Sequence, residues 1–128
     1  MTSRVLIVED EPFIGMNLAD LAEELGFEVS GPAASAQSAL MAAADQPPDI
    51  AIVDVNLLDG PTGPIVASQL AKAFGTQVMM LTANPELVAE GVGGVTVVLT
   101  KPFGPSEISK VLEVLEARRT AACPMPHH

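Results

Sequence analysis

Ala51-Ile52-Val53-Asp54-Val55-Asn56 decides how the chain is read. An apolar run ends on one carboxylate, and a turn-rich segment, residues 57–63, follows it. A run of this kind, without polar alternation, reads as a strand of a parallel sheet covered on both faces. A carboxylate at its end lies at the edge where open α/β sheets place their ligands. Taken alone, Asp54 is equally an acid that opens a turn. The other apolar runs separate the two readings.

Three more such runs occur, at residues 5–8, 78–81 and 95–99, with a shorter one at 27–30 that Gly31-Pro32 ends. Helical segments fall between them. The first covers residues 12–25, with Pro12 in the first turn, Glu11 or Asp10 as cap and Gly26 as stop. The second covers 36–44 after Ser35, and Pro47-Pro48 closes it. The third covers 64–74, with Thr62 as cap, Val66, Leu70 and Phe74 on one side, and Gly75 as stop. A fourth begins at Asn84-Pro85-Glu86 but soon meets Gly91, Gly93 and Gly94. Glycine costs about 1 kcal/mol per interior position relative to alanine, so this helix is short or frayed. The fifth covers 105–118, with Ile108, Val111, Leu112 and Leu115 as its apolar stripe. Five strands alternating with five helices predict an α/β fold with a parallel sheet.

The 128 residues predict one domain, residues 1–119, and a disordered tail, residues 120–128. The terminal His127 and His128 are a weak metal signal, native or a tag remnant. Apolar residues make up 48% of the chain, but aromatics only 3%, so the core is aliphatic. Six basic residues against sixteen acidic ones give a net charge of −10. That balance argues against nonspecific binding to nucleic acid or to an anionic membrane. No apolar stretch approaches transmembrane length, and Met1-Thr2-Ser3-Arg4 does not open a signal peptide. The single cysteine, Cys123, supports neither a disulfide framework nor a cysteine metal site. A cytoplasmic domain is expected.

The chemistry-bearing residues sit one step past apolar strands. The first strand runs into Glu9-Asp10-Glu11, the third into Asp54, the fourth into Thr82 and the fifth into Thr100-Lys101-Pro102. In a parallel sheet these ends share one edge. If the first and third strands are neighbours, their acids converge. Two unit charges about 4 Å apart repel by ~4 kcal/mol at an effective dielectric near 20. Such a pocket needs a proton or a cation, and an all-oxygen ligand set favours Mg²⁺, with Mn²⁺ as a substitute. Lys101 and Thr82 add donors suited to a tetrahedral oxyanion. A carboxylate so placed can attack phosphorus and form an acyl phosphate.

The strings VLIVEDE, IAIVDVNLLDG, MLTA and TKPF, in this order and over residues 4–118, resemble the receiver domain of two-component response regulators. The resemblance implies a doubly wound, flavodoxin-like fold with five strands in the order 2-1-3-4-5. It implies that Asp54 accepts a phosphoryl group from a sensor histidine kinase or a phosphotransfer protein, and that the chain is not otherwise an enzyme. By the same resemblance Glu9, Asp10, Asp54 and the backbone carbonyl of Asn56 hold Mg²⁺. Thr82 is then the switch hydroxyl, Lys101 the phosphate-contacting lysine, and the Lys101–Pro102 bond is cis. The kinase would meet Glu11, Phe13, Ile14 and Asn17, together with Pro102 and Phe103. For Ile14 core packing is the stronger reading; for Phe13 the two are balanced. Phosphorylation would shift residues 82–94 and signal to a downstream protein.

The chain also departs from the family pattern. Its acidic pair is Glu-Asp rather than Asp-Asp, Val98 stands where an aromatic is usual, and the span from Thr82 to Lys101 is short. These features resemble an atypical group of stand-alone receivers with a reduced fourth helix. A single-domain regulator or phosphorelay intermediate is expected, as a monomer, with a dimer as the alternative. The Met1 start favours this over an excised domain. Two other classes stay open. A phosphorylation-independent interaction module would not bind Mg²⁺. A Mg²⁺-dependent phosphohydrolase would want an acid where Asn56 stands.

Overall fold

The computed structural model describes residues 3–84 and 95–122. Its elements follow in the order β1 (Arg4–Val8), α1 (Pro12–Glu24), β2 (Glu28–Ala33), α2 (Ala36–Asp45), β3 (Ile50–Asp54), α3 (Gly63–Phe74), β4 (Gln77–Thr82), β5 (Val95–Thr100) and α4 (Pro105–Ala122). All neighbouring strands pair in parallel, in the order β2-β1-β3-β4-β5. This is the doubly wound, flavodoxin-like sheet that the sequence predicts. Four helices lie within the described residues; the fourth of the five expected, together with Gly91, Gly93 and Gly94, falls outside them.

The apolar runs lack alternation because the sheet is covered twice. On one face Leu6, Val8, Ala51, Val53, Val78 and Met80 pack with Ala39 and Ala43 of α2 and Val66, Ala67 and Leu70 of α3. On the other, Val5, Ile7, Ile50, Ile52, Met79 and Leu81 pack with Leu18 and Ala22 of α1 and Ile108, Leu112 and Leu115 of α4. Successive residues therefore feed opposite cores, as the two-residue period of a strand requires. No ring is among the buried residues of either core; Phe27 and Phe103 pack at the margin of the second.

Local chemistry fixes the helix ends. Glu11 caps α1, its carboxylate accepting from Phe13 N at 3.1 Å, and Pro12 opens the first turn. Ser35 caps α2 in a reciprocal box with Ser38. Gly26 and Gly75 follow α1 and α3 with positive φ, where a Cβ would be strained.

Four expectations need correction. β2 does not stop at Gly31-Pro32 but continues to Ala33. It is an edge strand, and its register against β1 shifts between Leu6 and Val8, so a proline fits there without removing a needed donor. Thr62 stands at the start of α3 without capping it; its hydroxyl donates instead to Asp59 Oδ1 at 2.8 Å. Phe74, expected on the inner side with Val66 and Leu70, is exposed at the helix end. The last helix also runs further than residue 118, through Ala122, while Cys123, His127 and His128 lie outside the described residues.

Candidate functional site: an acidic pocket at the sheet's carboxyl edge

The register places the acids. β1 and β3 are neighbours, with Val8 beside Val53, so Glu9 and Asp10 leave the sheet next to Asp54. One carboxylate oxygen from each of Glu9, Asp10 and Asp54 lies within 4.8 Å of the others. Glu9 is 3% exposed and Asp54 4%, while Asp10 is half-buried. β4 lies on the other side of β3, with Leu81 beside Asp54, and brings Thr82 to the same edge, buried. β5 follows, and Lys101 returns across β4: its Nζ reaches Asp54 Oδ2 at 3.0 Å. The Lys101–Pro102 peptide is cis.

One cation does not balance three carboxylates. Glu9 shows the imbalance most directly. One oxygen accepts from Glu11 N at 3.2 Å, but Oε1 is buried without a hydrogen-bond partner among the described residues. Burial, and then the charge of Asp54, pushes the Glu9 carboxyl up to about 7 from the ordinary 4.5. A buried acceptor without a donor, beside two further carboxylates, is what an oxygen-seeking cation would satisfy. The donor set is all oxygen and so fits a hard divalent ion of the Mg²⁺ or Mn²⁺ type.

Asn56 is exposed on the loop after β3, and among the described residues nothing donates to its carbonyl. The residues around it are firmly held. Val55 N donates to Leu81 O at 3.2 Å, and Gly63 N donates to Val55 O at 3.0 Å. Leu57 is buried and exchanges hydrogen bonds with Gly60. Asn56 is thus carried on a loop anchored on both sides of it, two residues after Asp54.

Thr82 joins the site through the sheet edge, with no hydrogen bond to Asp54 among the described residues. Its backbone carbonyl accepts from Lys101 N at 2.9 Å, and its Oγ1 accepts from Asn84 N at 3.0 Å. The hydroxyl proton is free to donate elsewhere, since the Asn84 bond uses only a lone pair.

Two residues that the sequence reading missed shape this edge. A Cβ on Gly63 would overlap the carbonyl oxygen of Asp54 and press on Val55 Cα, so only glycine lets α3 start against the backbone of Asp54. Asp59 accepts from Ala36 N, at the start of α2, with both oxygens at 3.1 Å. That N–H and the Thr62 hydroxyl hold its carboxyl below the usual aspartate range. The sequence signal for both was the turn-rich composition of residues 57–63, which does not reveal a partner.

Of the residues expected to face a kinase, Glu11, Phe13, Asn17 and Pro102 are exposed, Phe13 by 75%. Ile14 and Phe103 are half-buried against the α1/α4 core. A groove of about 860 Å³ runs between α1 and the Lys101–Pro105 turn, floored by Ile14, Leu18, Leu21, Phe103 and Ile108. Among the described residues no helix is long and apolar enough to cross a membrane.

Comparison with known proteins agrees with this geometry. Residues 5–113 match the family model of the response regulator receiver domain. The chain is 36% identical over 114 residues to the phyllosphere-induced regulator PhyR of Methylorubrum extorquens, covering 88% of this chain and 43% of that protein. It is 35% identical over 118 residues to the transcriptional regulatory protein PdtaR of Mycobacterium tuberculosis, covering 90% and 57%. The chain thus spans about half the length of these curated relatives. Among solved structures, the receiver domain of Erythrobacter litoralis PhyR superposes with a TM-score of 0.79 at 31% identity, covering 99% of this chain and 96% of that one. With the strand order, the convergent acids and the lysine already in place, the chain belongs to the response regulator receiver domain family.

Proposed function

We propose that the chain is a phosphoryl-accepting receiver, with Asp54 as the acceptor. The observation that carries this reading is the setting of Asp54: a buried carboxylate 3.0 Å from the Lys101 ammonium and clustered with Glu9 and Asp10. A carboxylate oxygen of Asp54 attacks phosphorus of a phosphohistidine donor. The phosphorus–nitrogen bond breaks, and its electron pair leaves with the imidazole, which takes up a proton. The product is an acyl phosphate on Asp54. Lys101 supplies positive charge where the phosphoryl oxygens arrive. Glu9, Asp10, Asp54 and the Asn56 carbonyl would hold Mg²⁺, which would supply positive charge to offset that of the phosphoryl group. Self-phosphorylation from a small donor and slow loss of the phosphate are the only turnover expected.

The same reading assigns the partners. A sensor histidine kinase or phosphotransfer protein docks around Phe13 and the Lys101–Pro105 turn. A downstream protein reads the state of Thr82, whose hydroxyl donates to the phosphoryl group once it is present. Residues 1–119 form the receiver unit of a cytoplasmic, monomeric protein. The expected response of residues 85–94 lies outside the described residues.

Acetyl phosphate with Mg²⁺ tests the reading. The wild-type chain should take up one phosphoryl group, measured by intact-protein mass, and Asp54→Asn should take up none. Uptake retained in Asp54→Asn would move the acceptor elsewhere. An unlabelled wild type that also fails to bind beryllofluoride would favour the phosphorylation-independent module.

A further inference from the structure

We propose that Asp59 is a positioning residue for the metal-binding half of the site. It acts through the loop that carries the Asn56 carbonyl. The inference rests on the assignment of Asn56 and Glu9 as metal ligands above.

Hydrogen bonds, relayed through short stretches of backbone, join the strand end of Glu9 to the loop that carries Asn56. Glu9 N donates to Ala33 O at 2.9 Å, which ties the first ligand to the turn after β2. One residue on, Ala34 O accepts from Leu58 N at 2.9 Å, which ties that turn to the loop after β3. Two residues further, Ala36 N donates to both oxygens of Asp59. Asp59 then reaches forward to the Thr62 hydroxyl at the start of α3. The short turn 33–36 therefore bridges the strand end of Glu9 and the loop of Asn56. Every link on that bridge is backbone to backbone except those made by Asp59.

Local capping alone does not require this arrangement. α2 already has its own cap in Ser35, whose hydroxyl accepts from Ser38 N at 3.1 Å. The Ala36 N–H is a further free donor of the first turn, which water would satisfy on an exposed surface. Asp59 instead takes it from 23 residues away in sequence, three residues after Asn56. Without Asp59, the 57–60 loop keeps its Leu57–Gly60 pair but loses its side-chain anchors to α2 and α3. The Asn56 carbonyl then samples more orientations, and a metal ion must order it on binding.

Mn²⁺ titration without a phosphoryl donor, followed by electron paramagnetic resonance of the free ion, tests this. Thermal unfolding is recorded on the same metal-free samples. Asp59→Ala should weaken Mn²⁺ binding about tenfold, the lower range for supporting residues of metal sites. Asp59→Asn, which keeps one acceptor oxygen, should recover part of that loss. Ser35→Ala loosens the same end of α2 without touching the loop. It should lower the unfolding temperature and leave Mn²⁺ affinity within about twofold of wild type. Equal affinities in wild type and Asp59→Ala would overturn the proposal. So would affinity losses in Ser35→Ala and Asp59→Ala that simply follow their losses of stability. A wild type that takes up no Mn²⁺ would fail differently, removing the metal assignment and this inference with it.

Discussion

Asp54 divides its own surroundings into two unlike sides. Toward β1 and β2, the side proposed to hold the metal is closely tied. Glu9 is buried, Gly63 presses on the Asp54 backbone, and hydrogen bonds cross from the 33–36 turn to the 57–63 loop. Toward β4 and β5, the side proposed to meet the phosphate is more lightly tied. Its edge strand β5 is half-buried or exposed throughout, and so, up to Ala33, is the opposite edge strand β2, so the contrast lies in the hydrogen bonds and not in strand burial. Among the described residues, Lys101 N to Thr82 O, Lys101 Nζ to Asp54 and Asn84 N to Thr82 Oγ1 are the bonds that join its functional groups. The difference follows from what each side has to do. Metal ligands work best when they are fixed before the ion arrives. A switch needs two arrangements close in free energy, so it belongs on the side with fewer ties.

Removing Lys101 should give the largest change in chemistry. Lys101→Met deletes the cation that faces Asp54 and keeps the apolar stem. Phosphoryl uptake from acetyl phosphate should slow by about 10²-fold, the usual loss when one preorganised charge is removed. Mn²⁺ affinity should not fall, because the lysine opposes the ion electrostatically. If metal binding and uptake collapsed together, the two sides would not be separable.

Gly63→Ala probes the closely tied side. The new methyl meets backbone atoms of Asp54 and Val55, which cannot swing away like a side chain. A loss of about 3 kcal/mol is expected, at the upper end for overpacking. Urea unfolding should show it as a lower midpoint with an unchanged slope. An unchanged midpoint would mean that this side yields more than its contacts imply.

Glu9→Gln should have the opposite sign in metal-free protein. The Glu9 carboxyl sits at about 7 when folded against 4.5 in the free side chain. A raised acid contributes stability that is present in full below 4.5 and lost as pH rises through about 7. In EDTA at pH 8 the glutamine variant should therefore be more stable, on the order of 1–2 kcal/mol. Its advantage should vanish toward pH 4 and be reversed by added Mg²⁺. A variant no more stable than wild type at pH 8 would show that Asp54 and Glu9 are already compensated.

The strength of these contrasts also explains what sequence could show. Asp54, Glu9, Asp10, Lys101 and Thr82 were legible because each follows an apolar run, and parallel strands bring such ends to one edge. Nothing about their side chains had to be guessed. β2 was cut short at Gly31-Pro32 because a proline is admissible there only on an edge strand with a shifted register, and strand order is not written locally. Thr62 looked like a helix cap, but Asp59, whose own partner is Ala36, claims its hydroxyl. Gly63 read as one more turn residue, whereas its requirement is the approach of a backbone that sequence does not reveal. Pattern exposes what strands do; contacts between loops emerge only when the sheet is assembled.

Thr82→Val tests the looser side with the smallest expected effect on chemistry. Valine keeps the shape of threonine and removes the oxygen that accepts from Asn84 N. The hydroxyl makes no hydrogen bond to Asp54 among the described residues, so uptake from acetyl phosphate should stay within a few-fold of wild type. The response of the neighbouring backbone should not survive. In wild type, addition of beryllofluoride and Mg²⁺ should move the Asn84 amide resonance, because Thr82 donates to the bound group and its bond to Asn84 N is remade. In Thr82→Val that movement should be absent while the ligand still binds. An Asn84 shift of wild-type size in the variant would mean that the site reports its state by another route, most directly through the Lys101 N to Thr82 O bond, which the substitution leaves intact.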